Sequence, residues 1–194
     1  MDKLSRNDLF SLENYTEMRS ELRAQAMTHK QDRRLPIGPN LTLYFEDRLT
    51  IQYQIQEMLR IEKIFEAEGI EEELTAYNPL IPDGGNWKAT MMIEFDDSAE
   101  RARQLARMVN IENSVWLRIN TCEPVRPVAD EDLERTNQTK TSAVHFLRFE
   151  LTDEMIDKLK NRAILSAGVD HEAYHYKVEQ VPDNIRKALI SDLD

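Results

Sequence analysis

The chain has 194 residues, 41% of them apolar, which is enough for one domain or for two small ones with a sizeable core. Its 25 Lys and Arg stand against 36 Asp and Glu, and the resulting net charge of −11 argues against binding to duplex DNA or to an anionic membrane surface. No stretch reaches the ~20 apolar residues of a membrane-spanning helix, and the polar N-terminus predicts no secretory signal. A single cysteine, Cys122, excludes an internal disulfide and fits a reducing, cytoplasmic location.

Residues 1–83 are predicted to be mostly helical, with one short strand. Apolar side chains at three-to-four spacing predict a helix within the first thirty residues, and Pro and Gly at positions 33–40 predict the turn that ends it. Residues 41–46 alternate between apolar and polar side chains, which is typical of a half-buried strand whose odd-numbered residues face inward.

The next predicted helix, at residues 48–68, carries apolar side chains around nearly its whole circumference. Asp47 precedes it as a candidate N-cap, and Gly69 follows at the position where a helix usually ends. Because a helix that is apolar almost all round must pack on several sides, we expect this one to be the central and most buried helix. A short acidic helix at residues 70–77 is predicted to follow.

A Gly-Gly turn at residues 83–86 marks the expected boundary to a β-rich part, residues 84–194. There the order β-α-β-β-α occurs twice, over 87–135 and over 143–193, and a short helix at 129–135 closes the first pass. The order indicates either a duplicated unit or the accidental pattern of an α+β chain. The whole chain is predicted to be one compact α+β unit, in which a mainly antiparallel sheet packs against the helical N-terminal part.

Five ionisable residues are the candidate site residues, because the patterns place them on apolar faces or at an element junction: Glu46, Glu57, Arg60, His145 and His171. Glu57 and Arg60 are three apart on the predicted helix, so they can meet, either in a pocket or as a structural ion pair. His145 falls on the buried face of its strand, where it is an acid–base group, a metal ligand or a core histidine. If the protein has a discrete site, we expect a pocket that brings Glu57 and Arg60 together with His145, and with Glu46 and His171 as further members. Separate partners for each residue would instead indicate structural contacts.

The sequence contains no spacing typical of a metal site, a nucleotide-binding loop or another cofactor site, so it predicts no bound metal and no cofactor. A metal site assembled only in the fold, from Glu57, His145 and His171, stays open because sequence spacing cannot reveal it. Cys122 has no basic neighbour along the chain to lower its pKa, which argues against a reactive thiolate.

Several segments resemble a prokaryotic family, the domain-of-unknown-function family numbered 3501. The most specific ones are QIQEMLRIE at residues 54–62 and AVHFLRFEL at residues 143–151. Shorter ones are Gly38-Pro39-Asn40, Phe45-Glu46-Asp47-Arg48, Tyr77-Asn78-Pro79-Leu80-Ile81-Pro82 and Gly168-Val169-Asp170-His171. The resemblance spans residues 3–193, and the family has no established activity.

The resemblance implies a setting rather than a mechanism. Members of the family are often encoded beside a rubrerythrin-like di-iron protein and a cysteine-rich iron–sulfur oxidoreductase, which implies a redox or oxidative-stress pathway. This chain lacks the cysteines and paired ExxH helices of such proteins, so we expect a non-redox accessory protein that binds protein partners, and neither nucleic acid nor a membrane. The alternative is an enzyme, with or without a metal, whose site combines the five candidate residues.

Overall fold

The computed structural model describes residues 2–194, which form six α-helices and eight strands. The strands are β1 (Arg34–Ile37), β2 (Leu41–Glu46), β3 (Asn86–Ile93), β4 (Val115–Ile119), β5 (Val128–Ala129), β6 (Val144–Glu150), β7 (Leu165–His171) and β8 (Tyr174–Val178). The helices are α1 (Leu12–Gln31), α2 (Arg48–Glu62), α3 (Ala67–Tyr77), α4 (Ser98–Arg107), α5 (Asp153–Lys160) and α6 (Asp183–Ile190). Residue 1, where the predicted N-terminal part begins, lies outside the described residues. None of the helices in residues 2–194 is long and apolar enough to cross a bilayer.

All strand pairs are antiparallel, and they form two sheets, which confirms the predicted α+β class. The larger sheet has the order β1-β2-β3-β6-β5, and the smaller one has the order β4-β7-β8. The main hydrophobic core joins the inner faces of both sheets to α5 and α6. Leu43 and Phe45 of β2 and Trp87 of β3 are fully buried there, as the alternation in residues 41–46 predicts for β2.

The opposite face of the larger sheet looks towards α1 and α2, and a second, smaller core lies among the N-terminal helices. Its buried members are Leu4, Ile51, Ile55, Leu59, Leu74 and Ile81. The central helix α2 has five buried residues, more than any other helix in the described part of the chain. The prediction that this helix is the most buried one is therefore confirmed.

The predicted extent of α2 is wrong, because the helix ends at Glu62 and not at residue 68. Lys63 adopts the left-handed conformation with φ 57°, and the N–H of Ile64 donates to the carbonyl of Leu59 at 2.9 Å. This backbone arrangement terminates a helix without glycine, and Ile64 then packs against the smaller core. Gly69 consequently lies inside α3 and caps nothing.

The buried apolar surface predicted for residues 48–68 is shorter along the chain in the structure, because apolar residues near its C-terminal end are exposed. Ile61 is 61% exposed, and Phe65, which follows the helix, is 69% exposed. Residues 48–60 are all buried or half-buried, so α2 is exposed only at its C-terminal end, at Ile61 and Glu62.

The larger sheet includes residues on both sides of the expected boundary at 83–86, because β2 pairs along its full length with β3. Residues 2–83 supply two of its strands where the sequence predicts one, since β1 forms within the segment expected to be a turn. Pro36 is tolerated in β1 because this is an edge strand, where one side of the backbone needs no partner.

Strands at corresponding positions of the two β-α-β-β-α passes pair with each other, β3 with β6 and β4 with β7. The helix predicted at residues 129–135 is wrong. There the chain forms β5 and then continues without helix, because the Asp130 side chain accepts the N–H of Phe146 at 2.9 Å and holds the segment along β6. The passes therefore end differently, and the duplication stays a prediction.

Candidate functional site

A cleft of about 470 Å³ lies between the outer face of the larger sheet and helices α1 and α2. The sheet contributes Tyr44, Phe45, Glu46, Thr90, Met92 and Phe146, the helices contribute Met27, Lys30, Thr50, Ile51 and Gln54, and the turn after α1 contributes Arg33. Tyr77 and Leu80, at the end of α3 and in the turn after it, complete the lining. A concave, mostly apolar space of this size with a few polar groups is typical of a small-molecule site.

The junction between β2 and α2 fixes the polar side of the cleft. Asp47 follows the strand and caps the helix: its carboxylate accepts the N–H of Thr50 at 2.9 Å, and the Thr50 hydroxyl accepts the N–H of Asp47 at 2.9 Å. This reciprocal cap turns the chain sharply from sheet to helix. It thereby sets the Thr50 hydroxyl beside the last side chain of the strand, Glu46.

Glu46 is the carboxylate of the cleft, and two hydroxyls hold it in place. The hydroxyl of Thr90, on the neighbouring strand, donates to Oε1 at 2.8 Å, and the hydroxyl of Thr50 donates to Oε2 at 2.6 Å. Within residues 2–194, no basic side chain forms an ion pair with Glu46. A half-buried carboxylate is thus oriented by neutral donors while its charge stays without a counter-ion.

A buried ion cluster stands behind the cleft, and we name it the Arg33 cluster; it comprises Arg33, Asp47, Asp192 and His29. The Arg33 guanidinium, 2% exposed, donates to both oxygens of Asp192 at 2.6 and 2.9 Å, and its Nε lies 2.8 Å from Asp47 Oδ2. His29 Nε2 lies 2.5 Å from the same Asp47 oxygen. Burial raises the pKa of the Asp192 carboxyl, and the bond to Arg33 opposes that rise only in part.

Sequence reasoning missed most of the Arg33 cluster. The i,i+4 spacing of His29 and Arg33 is a local signal that both could face one neighbour. Nothing in the sequence connects either residue to Asp192, because that contact joins the turn after α1 to the turn after α6, far apart in the chain. Thr90 was missed for the same reason, since its role depends on strand pairing.

Glu57 and Arg60 meet, as their spacing predicts, at 3.4 Å, but the stronger partners of Glu57 are on α1. Arg19 donates to both of its oxygens at 2.8 and 2.9 Å, and the Tyr15 hydroxyl donates at 2.7 Å. The hydrogen bonds from Arg19 lower the pKa of Glu57 to about 2, although partial burial opposes this shift. The arrangement ties α1 to α2 and is typical of a structural ion pair.

His145 is fully buried, on the face of β6 that the alternation predicts. Its Nδ1 lies 2.6 Å from Asp130 Oδ2, and its Nε2 lies 2.8 Å from the Thr141 hydroxyl. Carboxylate, imidazole and hydroxyl follow in the order found in nucleophilic hydrolases. Thr141 is only 1% exposed, however, so a substrate has no access to its hydroxyl. The three side chains instead fasten the segment between β5 and β6 to the sheet.

His171 braces the turn between β7 and β8. Its Nε2 donates to the carbonyl of Val109 at 3.0 Å, and its Nδ1 accepts the N–H of Ala173 at 3.1 Å. Each candidate residue thus has its own partners, and the expected common pocket of Glu57, Arg60 and His145 does not form. Of the five, Glu46 alone lines the cleft between sheet and helices.

The described residues contain no group of three or more His, Cys, Asp or Glu side chains arranged to hold a metal ion. The ligand set of Glu57, His145 and His171 is therefore not assembled. Cys122 has a basic neighbour after all, because Lys158 of α5 places its Nζ 3.3 Å from the Sγ atom. This contact joins residues that are distant in the chain, which is why the neighbours of Cys122 in the sequence gave no sign of it.

Comparison with known proteins agrees with the resemblance noted in the sequence. The family described as "Protein of unknown function (DUF3501)" matches residues 3–193. A crystal structure of a novel protein of unknown function from Burkholderia pseudomallei K96243 is 49% identical, covers 100% of both chains and superposes with a TM-score of 0.95. No curated protein matches the chain. The chain therefore belongs to the DUF3501 family.

Proposed function

We propose that this protein acts by binding, as an accessory protein that holds a small molecule in the cleft between the larger sheet and helices α1 and α2. The observation that carries the proposal is the oriented carboxylate of Glu46 in an otherwise mostly apolar space. Carboxylates that serve stability alone usually have a cationic partner when they are partly buried, as Glu57 does with Arg19.

The pathway forms a second part of this proposal, and it comes from the family resemblance. We propose that the protein serves rubrerythrin-like and iron–sulfur proteins in a redox or oxidative-stress pathway in the cytoplasm. The single cysteine supports a reducing compartment, and the net charge of −11 supports partners with a basic docking face.

A cleft-filling variant tests the binding part. The neutral dye N-phenyl-1-naphthylamine, whose fluorescence rises in apolar sites, is expected to bind saturably to the wild type. Gln54→Trp places an indole in the cleft and is expected to weaken dye binding by about tenfold or more. The reason is that the indole occupies the space in which the dye would contact the apolar walls. Glu17→Trp, on the exposed face of α1, is the control and leaves binding unchanged. Equal binding by both variants, or no saturable binding at all, contradicts the proposal.

Sedimentation of the purified chain mixed with a purified rubrerythrin-like protein from the same source tests the pathway part. We expect a complex that weakens as salt rises, because an acidic partner is held largely by charge. A mixture that sediments as two separate species even at low salt contradicts this part and leaves the binding part standing.

An enzyme is the second candidate, and Glu46 is the observation that favours it. A carboxylate in an apolar cleft can take a proton from a bound substrate. A compound that is bound and converted by the wild type, but bound without conversion by Glu46→Gln, would replace the accessory role with a catalytic one.

A further inference from the structure

The geometry of the cleft points to its ligand class: we propose that it selects organic molecules with an apolar body and one cationic group, and that Glu46 is the counter-ion. This inference rests on the proposed function, since it concerns the same cleft. The class includes protonated amines and amidines and excludes carboxylates and phosphates of similar shape.

The first step is the state of the Glu46 carboxylate. Its two partners, Thr50 and Thr90, are neutral hydroxyls that fix the position of the oxygens without cancelling their charge. Each oxygen retains accepting capacity beyond the one hydroxyl bond it forms. An ammonium group that enters the cleft can therefore form charge-assisted hydrogen bonds to oxygens that are already in place.

The second step is that the nearby basic side chains are engaged elsewhere. Arg33 lines the cleft but directs its guanidinium to Asp47 and Asp192. Lys30 also lines the cleft, and its Nζ lies 5.5 Å from the centre of the Tyr53 ring, a cation–π distance. Neither cation forms an ion pair with Glu46, so the counter-ion position is open within the described residues.

The third step is the sign of the charge around the cleft. Arg33, the buried cation of the lining, is shared between two carboxylates, Asp47 and Asp192, and directs its hydrogen bonds to them. The chain as a whole carries a net charge of −11. The field therefore attracts a cation and repels an anion, the more so because the apolar walls weaken screening by water.

The walls fit the apolar body of such a ligand. The rings of Tyr44, Tyr77 and Phe146 line the cleft together with the flexible side chain of Met92. Arg34 and Arg135 already lie over the Tyr44 and Phe146 rings, at 6.0 and 4.6 Å from their centres, so these two rings offer a ligand apolar contact and not a free cation–π face. A volume of about 470 Å³ suits a single small molecule of this kind.

Three probes with the same body test the ligand class: 2-phenylethylamine, 2-phenylethanol and 3-phenylpropanoate, which carry a cation, a neutral group and an anion. Each is titrated against the cleft-bound dye N-phenyl-1-naphthylamine. We expect the amine to displace the dye at about tenfold lower concentration than the alcohol, as a charge-assisted contact in a half-buried site allows. The propanoate is expected to be no better than the alcohol.

A pair of charge-matched variants separates Glu46 from general acidity. Glu46→Gln keeps the shape of the side chain, and we expect it to lower amine binding to the level of the alcohol while alcohol binding stays unchanged. Glu17→Gln removes one exposed carboxylate from α1 and is expected to leave the preference for the amine intact. Thermal unfolding of both variants shows that each one folds.

The outcomes distinguish this inference from the proposed function. Dye binding without any preference for the amine overturns the ligand class and leaves a binding cleft. Equal loss of amine binding in both variants overturns the role of Glu46. Failure of the dye itself to bind overturns the proposed function, and the ligand class falls with it.

Discussion

Glu46 and Asp47 are neighbours in the chain, yet their carboxylates have opposite surroundings. Asp47 caps α2, lies 2.8 Å from the Arg33 guanidinium and contacts His29, so its charge is paired within a buried cluster. Glu46 has two hydroxyl partners and forms no ion pair within residues 2–194. The difference teaches that burial of a charge does not by itself identify a binding site. A better indicator is a charged group that lines a concave surface and forms no ion pair within the protein.

The strongest test of this comparison is to break the Arg33 cluster. Arg33→Ala leaves Asp47 and Asp192 buried without their cation, so we expect a loss of about 3–5 kcal/mol in the free energy of unfolding. Urea denaturation measures it, and Arg23→Ala, which removes an exposed arginine of α1, serves as the control. A loss no larger than that of the control would show that the cluster is not structural.

Removing His145 should have the next largest effect. His145→Ala leaves Asp130 and Thr141 without their buried partner, which we expect to lower the free energy of unfolding by about 2–3 kcal/mol. His175→Ala removes an exposed histidine and is expected to change stability far less. Limited proteolysis between β5 and β6 should also become faster in the His145 variant. Unchanged stability and proteolysis would refute the bracing role.

Glu57 connects stability to pH. Its folded-state pKa is about 2 against an ordinary 4.5, so the unfolded chain binds the proton more readily. The stabilisation is therefore complete above pH 4.5 and is lost as the pH falls towards 2. Glu57→Gln is expected to cost about 1 kcal/mol at neutral pH, because Arg19 is partly exposed, and to differ less from the wild type in acid. A difference that grows on acidification has the wrong sign for this ion pair.

The smallest stability change is expected at Glu46. Since Glu46→Gln removes a charge that has no counter-ion, we expect the free energy of unfolding to change by less than about 1 kcal/mol, in either direction. Side-by-side urea denaturation with Arg33→Ala checks the contrast. A loss as large as that of Arg33→Ala would mean that Glu46 is a structural group like Asp47.

Local features of this fold could be predicted from the sequence. The alternation in β2, the cap at Asp47 and the pairing of Glu57 with Arg60 all depend on residues a few positions apart. The end of α2 could not be predicted in the same way, because Lys63 adopts a left-handed conformation that glycine adopts far more often than other residues.

The candidate site was only partly accessible to sequence reasoning, because its chemistry depends on distant contacts. Glu46 was singled out at the strand–helix junction, but its partner Thr90 lies 44 positions further along the chain. His145 was placed correctly on a buried face, whereas its partner Asp130 was expected in a helix. Periodicity identifies which side chains turn inward, and tertiary contacts decide whether they are neutralised there.

The pairing of Arg33 with Asp192 also has a consequence for biosynthesis. The two residues are 159 positions apart, so the rear support of the cleft cannot form until almost all of these 194 residues have left the ribosome. A nascent chain can form α1 and the β1–β2 hairpin early, but the Arg33 side chain remains solvated until Asp192 is available to pair with it. Cleft assembly is therefore later than the folding of these N-terminal elements, because it depends on a contact of long sequence separation.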